Sequence, residues 1–157
     1  MARPLEYGEP VLLWEEGKAR TFLIRLEPGG EFHSHRGVIL HDRIVGRPEG
    51  TRVLSGTGHP FFALRPRVGE RMMKVRRRTQ IVYPKDAGWL VLALDLFPGA
   101  RVIEMGTGSG AFTILLCQLV GREGRGFTPH PPGGVLGKAP FKLGRYGVAG
   151  RGEGGGV

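Results

Sequence analysis

The sequence predicts an α/β protein: a small N-terminal β-barrel or β-sandwich module, then the opening of a Rossmann-like domain that is incomplete here. Three observations carry that prediction. Short apolar runs broken by tight turns fill residues 1–70, with little helical periodicity. Residues 71–125 change to a helix, strand, Gly-rich turn, helix order centred on "VIEMGTGSGAFT", which is how a Rossmann-like domain begins. From 126 to 157 Gly and Pro crowd the chain, and that composition reads as loop or disorder.

The elements follow in order. "PVLLWEE" and "ARTFLIRL" flank Gly17-Lys18, a spacing that predicts a β-hairpin. "EPGG" separates the second strand from the run "EFHSHRGVIL", and "RPEG" and "SGTG" mark further turns. "ERMMKVRRR" is expected to be a short basic helix. "TQIVYPKDA" is extended, because the residue before Pro84 is pushed out of the helical region. Asp86 is placed to cap a helix with the body "AGWLVLALDL", which Phe97-Pro98-Gly99 would end. "ARVIEM" is a short buried strand, and "AFTILLCQLV" an apolar helix stopped by Gly121. That leaves a single strand with no sheet to bury it in.

Composition narrows the class. Among 157 residues, 40% are hydrophobic and the formal net charge is +9, which suits either a polyanionic partner such as nucleic acid or an unspecialised basic surface. No apolar run approaches the roughly 18–20 residues of a membrane span, and the N-terminus lacks the apolar stretch of a secretory signal. Cys117 is the only cysteine, so no internal disulfide forms and a cytoplasmic setting fits. Amid "ILLCQL" it reads as a buried, inert thiol. Met72 and Met73 read as filler in a core or interface. Trp14 and Trp89 read as packing residues, with an edge of the cofactor cleft as the other reading of Trp89. His33, His35, His41 and Asp42 lack a nearby cysteine and read as something other than a metal site.

The glycine turn carries the chemistry. Gly106, Gly108 and Gly110 permit tight backbone angles and close ligand approach, and the helix behind them offers free N–H groups to polar or anionic atoms. The spacing is G-x-G-x-G. A P-loop would need Gly-Lys-Ser/Thr, and a dinucleotide fingerprint would need G-x-G-x-x-G with an acid about 20 residues on. Glu104, two residues before the first glycine, could order the turn or meet an ammonium group. A nicotinamide-type site and a purely structural turn that packs helix on strand both remain open at this point.

The E-x-G-x-G-x-G pattern resembles the first motif of class I methyltransferases that use S-adenosylmethionine. With "FHSHRGVILHDRIVGRPEG", "FFALRPR" and "RRRTQIVYPKDA" in this order, residues 8–125 resemble the TrmI-type tRNA (adenine-58-N1)-methyltransferase family. The resemblance implies an N-terminal β module, a class I methyltransferase domain, S-adenosylmethionine as cofactor, tRNA as substrate and a homotetramer. It implies that Glu104, Gly106, Thr107, Gly108, Ser109 and Gly110 line the cofactor, with Gln80, Tyr83 and Pro84 beside it and the target base. Arg76, Arg77 and Arg78 would contact tRNA phosphates, Arg being a planar fork of donors. The histidine segment would be structural or RNA-facing.

Methylating adenine N1 places positive charge on the base, which a carboxylate near the exocyclic amine can relieve. In the family that carboxylate ends the fourth strand, beyond residue 157, so no residue here is expected to be catalytic. An acid that ends the family's second strand is also missing, where this chain reads "RGFTPHPP". The expectation is therefore an inactive fragment of a methyltransferase, with a non-catalytic RNA-binding module as the alternative. "KLGRYGVAGR", from Lys142, resembles the family's approach to its third strand, whereas residues 126–141 resemble nothing in it; a slipped coding frame would produce that pattern.

Overall fold

In β1 (Pro10–Glu15) Val11, Leu13 and Glu15 turn to one side and Leu12 and Trp14 to the other, with the first side wholly buried and the second covered at Leu12 but open at Trp14. In the computed structural model, which describes residues 3–75, 80–121 and 123–127, the chain divides into two compact units, residues 1–66 and 67–157. In the first unit β1 runs antiparallel to β2 (Thr21–Arg25), as the hairpin reading expects, with Leu13 opposite Phe22. Its other edge pairs with β6 (Pro60–Leu64), which pairs in turn with β5 (Thr51–Leu54), giving the sheet order β2-β1-β6-β5.

The run "EFHSHRGVIL" is not one strand but a hairpin of its own, β3 (Glu31–Ser34) and β4 (Gly37–Leu40). Two features bend it. Gly37 adopts φ +92°, a conformation that suits only glycine without strain. The Ser34 hydroxyl accepts the Arg36 N–H at 3.1 Å and donates to the Gly37 carbonyl at 3.1 Å. A short 3-10 turn, His41–Arg43, follows. Leu5, Val11, Leu13, Leu26, Ile39, Ile44, Val53, Phe61 and Ala63 form one enclosed apolar cluster, with Phe22 tilted and Phe32 edge-on against Phe61. Trp14 is half-exposed; it stacks on Phe62 and donates its indole N–H to the Lys18 carbonyl at 2.7 Å.

The second unit begins with α1 (Val68–Met73), where Glu70 accepts the Arg67 N–H at 2.7 Å. α2 spans Pro84–Ala93. Here Asp86 is not the cap. Pro84 takes the first helical position, where its missing N–H is harmless, and Tyr83 precedes it without a side-chain cap. The helix also stops before Phe97, because Asp95 turns into the left-handed region at φ 48°. Trp89 is 68% exposed rather than packed, and Leu92 is 81% exposed.

β7 (Arg101–Ile103) leads through the glycine turn to α3 (Ala111–Val120), whose limits are those read from the sequence. A second strand then forms. β8 (Arg125–Phe127) runs parallel to β7, with Val102 opposite Gly126, so β7 is not alone. Strand, helix and parallel strand make one βαβ unit. Gly124 lets β8 begin close against α3, since a Cβ there would lie 2.6 Å from the Val120 carbonyl oxygen and 2.8 Å from that of Ala100. Met72, Val75, Ala87, Ala111 and Ile114 form the unit's buried cluster. Arg76, Arg77, Arg78 and residues 128–157, including the segment from Lys142, lie outside the described residues.

Candidate functional site

The site is built at the C-terminal end of β7, where the chain must reverse into α3 within a few residues. Gly106, Gly108 and Gly110 take φ values of 80°, 51° and 80°. A Cβ at Gly106 or Gly110 would meet nothing within 4 Å, so backbone angle rather than crowding demands glycine there, and the space above the turn is open. The turn closes on itself through the Gly110 N–H, which donates to the Thr107 carbonyl at 2.7 Å. Gly110 then serves as N-cap of α3 without a side-chain acceptor, which leaves the helix's first N–H groups to other partners.

Two polar side chains give the turn its character. Thr107 is buried, and its Oγ1 has no hydrogen-bond partner among the described residues; such a group is costly unless something meets it. Glu104 leaves β7 and accepts a 2.5 Å hydrogen bond from the Thr113 hydroxyl, which ties the strand end to the first turn of α3. Burial pushes the Glu104 carboxyl above its ordinary value, and the Thr113 hydrogen bond pulls it partly back. Burial, and then the Glu104 charge, likewise raise the Cys117 thiol, away from the thiolate that reactivity needs. Ser109 is buried within the same turn.

Thr113 was missed in the sequence, where it reads as one more residue of an apolar helix. Its signal is positional: a hydroxyl in the first turn of a helix that follows an acid-ended strand.

The segment that carries Gln80, Tyr83 and Pro84 approaches the turn through shared packing. Ile81 and Val82 lie against the cluster that holds Ala111 and Ile114, so the extended run and the start of α3 rest on one apolar floor. Tyr83 and Pro84 themselves are exposed. An open turn, a buried unmatched hydroxyl, an adjacent carboxylate and uncapped helix N–H groups fit a ligand with both cationic and hydroxyl-bearing parts.

The histidines are placed elsewhere, in the first unit. His33 pairs with Glu31 at 2.9 Å, and His41 is buried with Nδ1 accepting the Glu27 N–H at 3.0 Å. No helix among the described residues is long and apolar enough to cross a membrane.

Comparison with known proteins covers both units. The TrmI-like N-terminal family model matches residues 4–53, and that of the tRNA methyltransferase complex GCD14 subunit matches residues 64–130. The tRNA (adenine(58)-N(1))-methyltransferase TrmI of Thermus thermophilus is 38% identical over 113 residues, 72% of this chain and 44% of that protein. The catalytic subunit TRM61 of the corresponding Cryptococcus neoformans enzyme is 34% identical over 123 residues, 77% of this chain and 28% of that one.

Among solved structures, a SAM-dependent O-methyltransferase of Thermotoga maritima superposes with TM-score 0.79 at 32% identity, covering 92% of this chain and 54% of its own. The tRNA (m1A58) methyltransferase TrmI of Aquifex aeolicus gives TM-score 0.70 at 30% identity, covering 92% and 55%. The chain thus spans less than half the length of these curated relatives and about half that of the solved chains.

Proposed function

The chain belongs to the TrmI-type tRNA (adenine-58-N1)-methyltransferase family, and from that membership we propose that it forms the cofactor-binding part of an enzyme methylating N1 of an adenine in tRNA. The observation that supports this most is the turn itself: Glu104 and the three left-handed glycines stand at the end of a parallel strand, with the Thr107 hydroxyl buried and unmatched. S-adenosylmethionine, when bound, supplies a methyl group carried on a sulfonium. Glu104, Gly106, Thr107, Gly108, Ser109 and Gly110 would line it. Glu104 brings negative charge toward the cationic part, while the α3 N–H groups and Thr107 meet hydroxyl and carboxylate oxygens. Gln80, Tyr83 and Pro84 would flank the cofactor and the incoming base. Arg76, Arg77 and Arg78 would hold tRNA phosphates through charge-assisted hydrogen bonds.

In this reading the chain's residues bind and orient the two substrates, which is a large share of catalysis between bound partners, and no described residue is assigned the catalytic carboxylate. The N-terminal unit is read as a small β-barrel or sandwich that helps hold tRNA. A homotetrameric assembly in the cytoplasm completes the proposal, and light scattering tests the assembly. The site is tested by calorimetric titration with S-adenosylmethionine. Saturable binding is expected, and Gly108→Val should abolish it, because φ 51° forbids a branched side chain. Absence of binding by folded protein overturns the cofactor assignment.

A further inference from the structure

Three hairpin tips of the N-terminal unit meet around one carboxylate that the functions above do not use. Glu15, the last residue of β1, is wholly buried, and neither of its oxygens has a hydrogen bond among the described residues. Its charged neighbours come from the β3–β4 and β5–β6 loops. Arg36 Nε stands 3.5 Å from Oε1 and His35 Nε2 4.0 Å, both from the β3–β4 turn. His59 Nε2, from the β5–β6 loop, stands 3.3 Å away. The β1–β2 loop contributes Arg20, whose Nη1 lies 3.3 Å from the same His35 Nε2.

The loops are also tied together by their backbones. The Arg36 carbonyl accepts from the hydroxyls of both Ser55 and Thr57, and the Gly56 N–H donates to the Val38 carbonyl at 2.8 Å. The β1–β2 loop is joined to the same end by the Glu16 N–H, which donates to the Pro60 carbonyl at 3.2 Å.

A buried ion needs compensation from its surroundings, since desolvation alone opposes it strongly. Here the fixed cation beside it, Arg36, is not buried with it: its side chain is 43% exposed, whereas that of His59 is 24% exposed. Glu15 therefore holds the Arg36 guanidinium at the surface from beneath, with Lys18 and Arg20 exposed nearby on the β1–β2 loop. The fixed cations at this end, Lys18, Arg20, Arg36 and Arg52, outnumber the carboxylates Glu15 and Glu16, and Arg52 is engaged with Glu16 at 3.0 Å. Gly17 and Gly58 leave the loop backbones open, with no atom within 4 Å of a Cβ at either, so an extended partner can come close.

We infer that these three hairpin tips form an RNA-backbone binding surface, in which Arg20 and Arg36 contact phosphodiester oxygens and Glu15 is the positioning residue that aims Arg36. The inference rests on the tRNA reading above for the identity of the polyanion, but its residues are independent of the cofactor turn. A phosphodiester chain fits better than an acidic protein segment. Its charges are regularly spaced, and Arg offers a planar fork that matches phosphate oxygens.

The test is anisotropy of a labelled tRNA transcript titrated with the full chain at several salt concentrations. The double variant Arg20→Ala/Arg36→Ala should flatten the dependence of log affinity on log salt by about 2, since each phosphate contact contributes about 0.9, and weaken binding at least 10-fold at low salt. Glu15→Gln should also weaken binding, although it makes the surface more positive. A role for Glu15 in bulk electrostatics alone would move affinity the other way, so that sign separates positioning from charge. Circular dichroism confirms that each variant is folded, and the Arg variants remain decisive if Glu15→Gln is not.

Unchanged salt dependence in the double variant overturns the proposal, as does competition by polyglutamate as strong as by unlabelled tRNA. S-adenosylmethionine titration of the same preparations separates the two readings. Cofactor binding with Arg-independent tRNA binding defeats the surface and leaves the methyltransferase reading intact. Arg-dependent tRNA binding without cofactor binding does the reverse.

Discussion

In the N-terminal unit β1 lies between two antiparallel neighbours, and Val11, Leu13 and Phe61 are fully enclosed. In the second unit β7 has a parallel partner in β8, while Ile103, Leu92 and Trp89 stand largely in solvent. Both units draw on sequence of similar apolar character, so the difference lies in connectivity. Antiparallel hairpins bring the next strand alongside through a few residues, and a core can close within a short stretch of chain. Parallel strands need a helix between them, and their sheet is normally buried on both faces by further layers. A single βαβ unit therefore meets its own hydrogen bonds while its apolar surface still calls for elements beyond those described.

The largest effect that tests this contrast is a pair of truncations. Phe61→Ala removes a fully buried ring that contacts Phe22, Phe32 and His59 and should cost about 3–5 kcal/mol. Leu92→Ala, at a residue 81% exposed, should change stability by no more than about 0.5 kcal/mol. Urea unfolding followed by circular dichroism measures both. A loss for Leu92→Ala that rivals that for Phe61→Ala would break the contrast, because it would mean that the apolar face of α2 is covered in solution.

A second pair asks whether the less enclosed unit is also less exacting. Gly124→Ala places a methyl 2.5 Å from Val120 Cβ and 2.8 Å from the Ala100 carbonyl oxygen, atoms of backbone and helix that cannot swing aside. A loss of about 1–3 kcal/mol is expected, the usual range for overpacking. Gly30→Ala in the first unit meets the ring of His41, Nδ1 nearest and Cε1 2.8 Å away, and the Glu27 carbonyl oxygen at 3.0 Å. A ring can rotate, at the expense of its hydrogen bond from Glu27, so the loss should be the smaller of the two. Thermal unfolding of the two variants compares them, and the reverse order would show that the βαβ junction has slack.

What the sequence revealed and concealed follows the same division between local and distant causes. The hairpin of β1 and β2 and both ends of α3 were legible, because turn residues and glycine stops act on their immediate neighbours. The bend inside "HSHRG" is made locally, by Gly37 and the Ser34 hydroxyl. Only the hold on its Arg36 carbonyl by Ser55 and Thr57, some twenty residues away, lay beyond a local reading. The start of α2 was misplaced because Pro84 was read as part of the extended run "TQIVYPKDA" rather than as a first helical residue. β8 was hidden by composition: "RGF" has no strand pattern and gains its place only by pairing with β7. In the candidate site the glycines and Glu104 were legible as a motif, whereas Thr113 as partner of Glu104, and Glu15 as the centre of three loops, depend on contacts that spacing does not encode.

The smallest effect expected is also one in which the two units respond to acid with opposite signs. Asp42 in the first unit accepts hydrogen bonds from the Tyr7 hydroxyl at 2.7 Å and the Gly29 N–H at 3.2 Å, and these hold its carboxyl below the ordinary value. Its contribution is complete above the ordinary carboxylate range, near pH 4, and is lost as pH falls through the lowered value. Glu104 in the second unit is raised by burial, with the Thr113 hydrogen bond opposing. The folded state holds its proton more tightly than the unfolded chain does. Stability is therefore unaffected while Glu104 is protonated in both states, falls as pH rises from the ordinary value towards the raised one, and is level above it. Two variants isolate these terms. Relative to Asp42→Asn, the native chain should lose its advantage on acidification. Relative to Glu104→Gln, it should lose stability as pH rises across its window. Urea midpoints measured through the carboxylate range check both, and a native chain that tracks Glu104→Gln at every pH would show that Glu104 is better solvated than its place behind the turn implies.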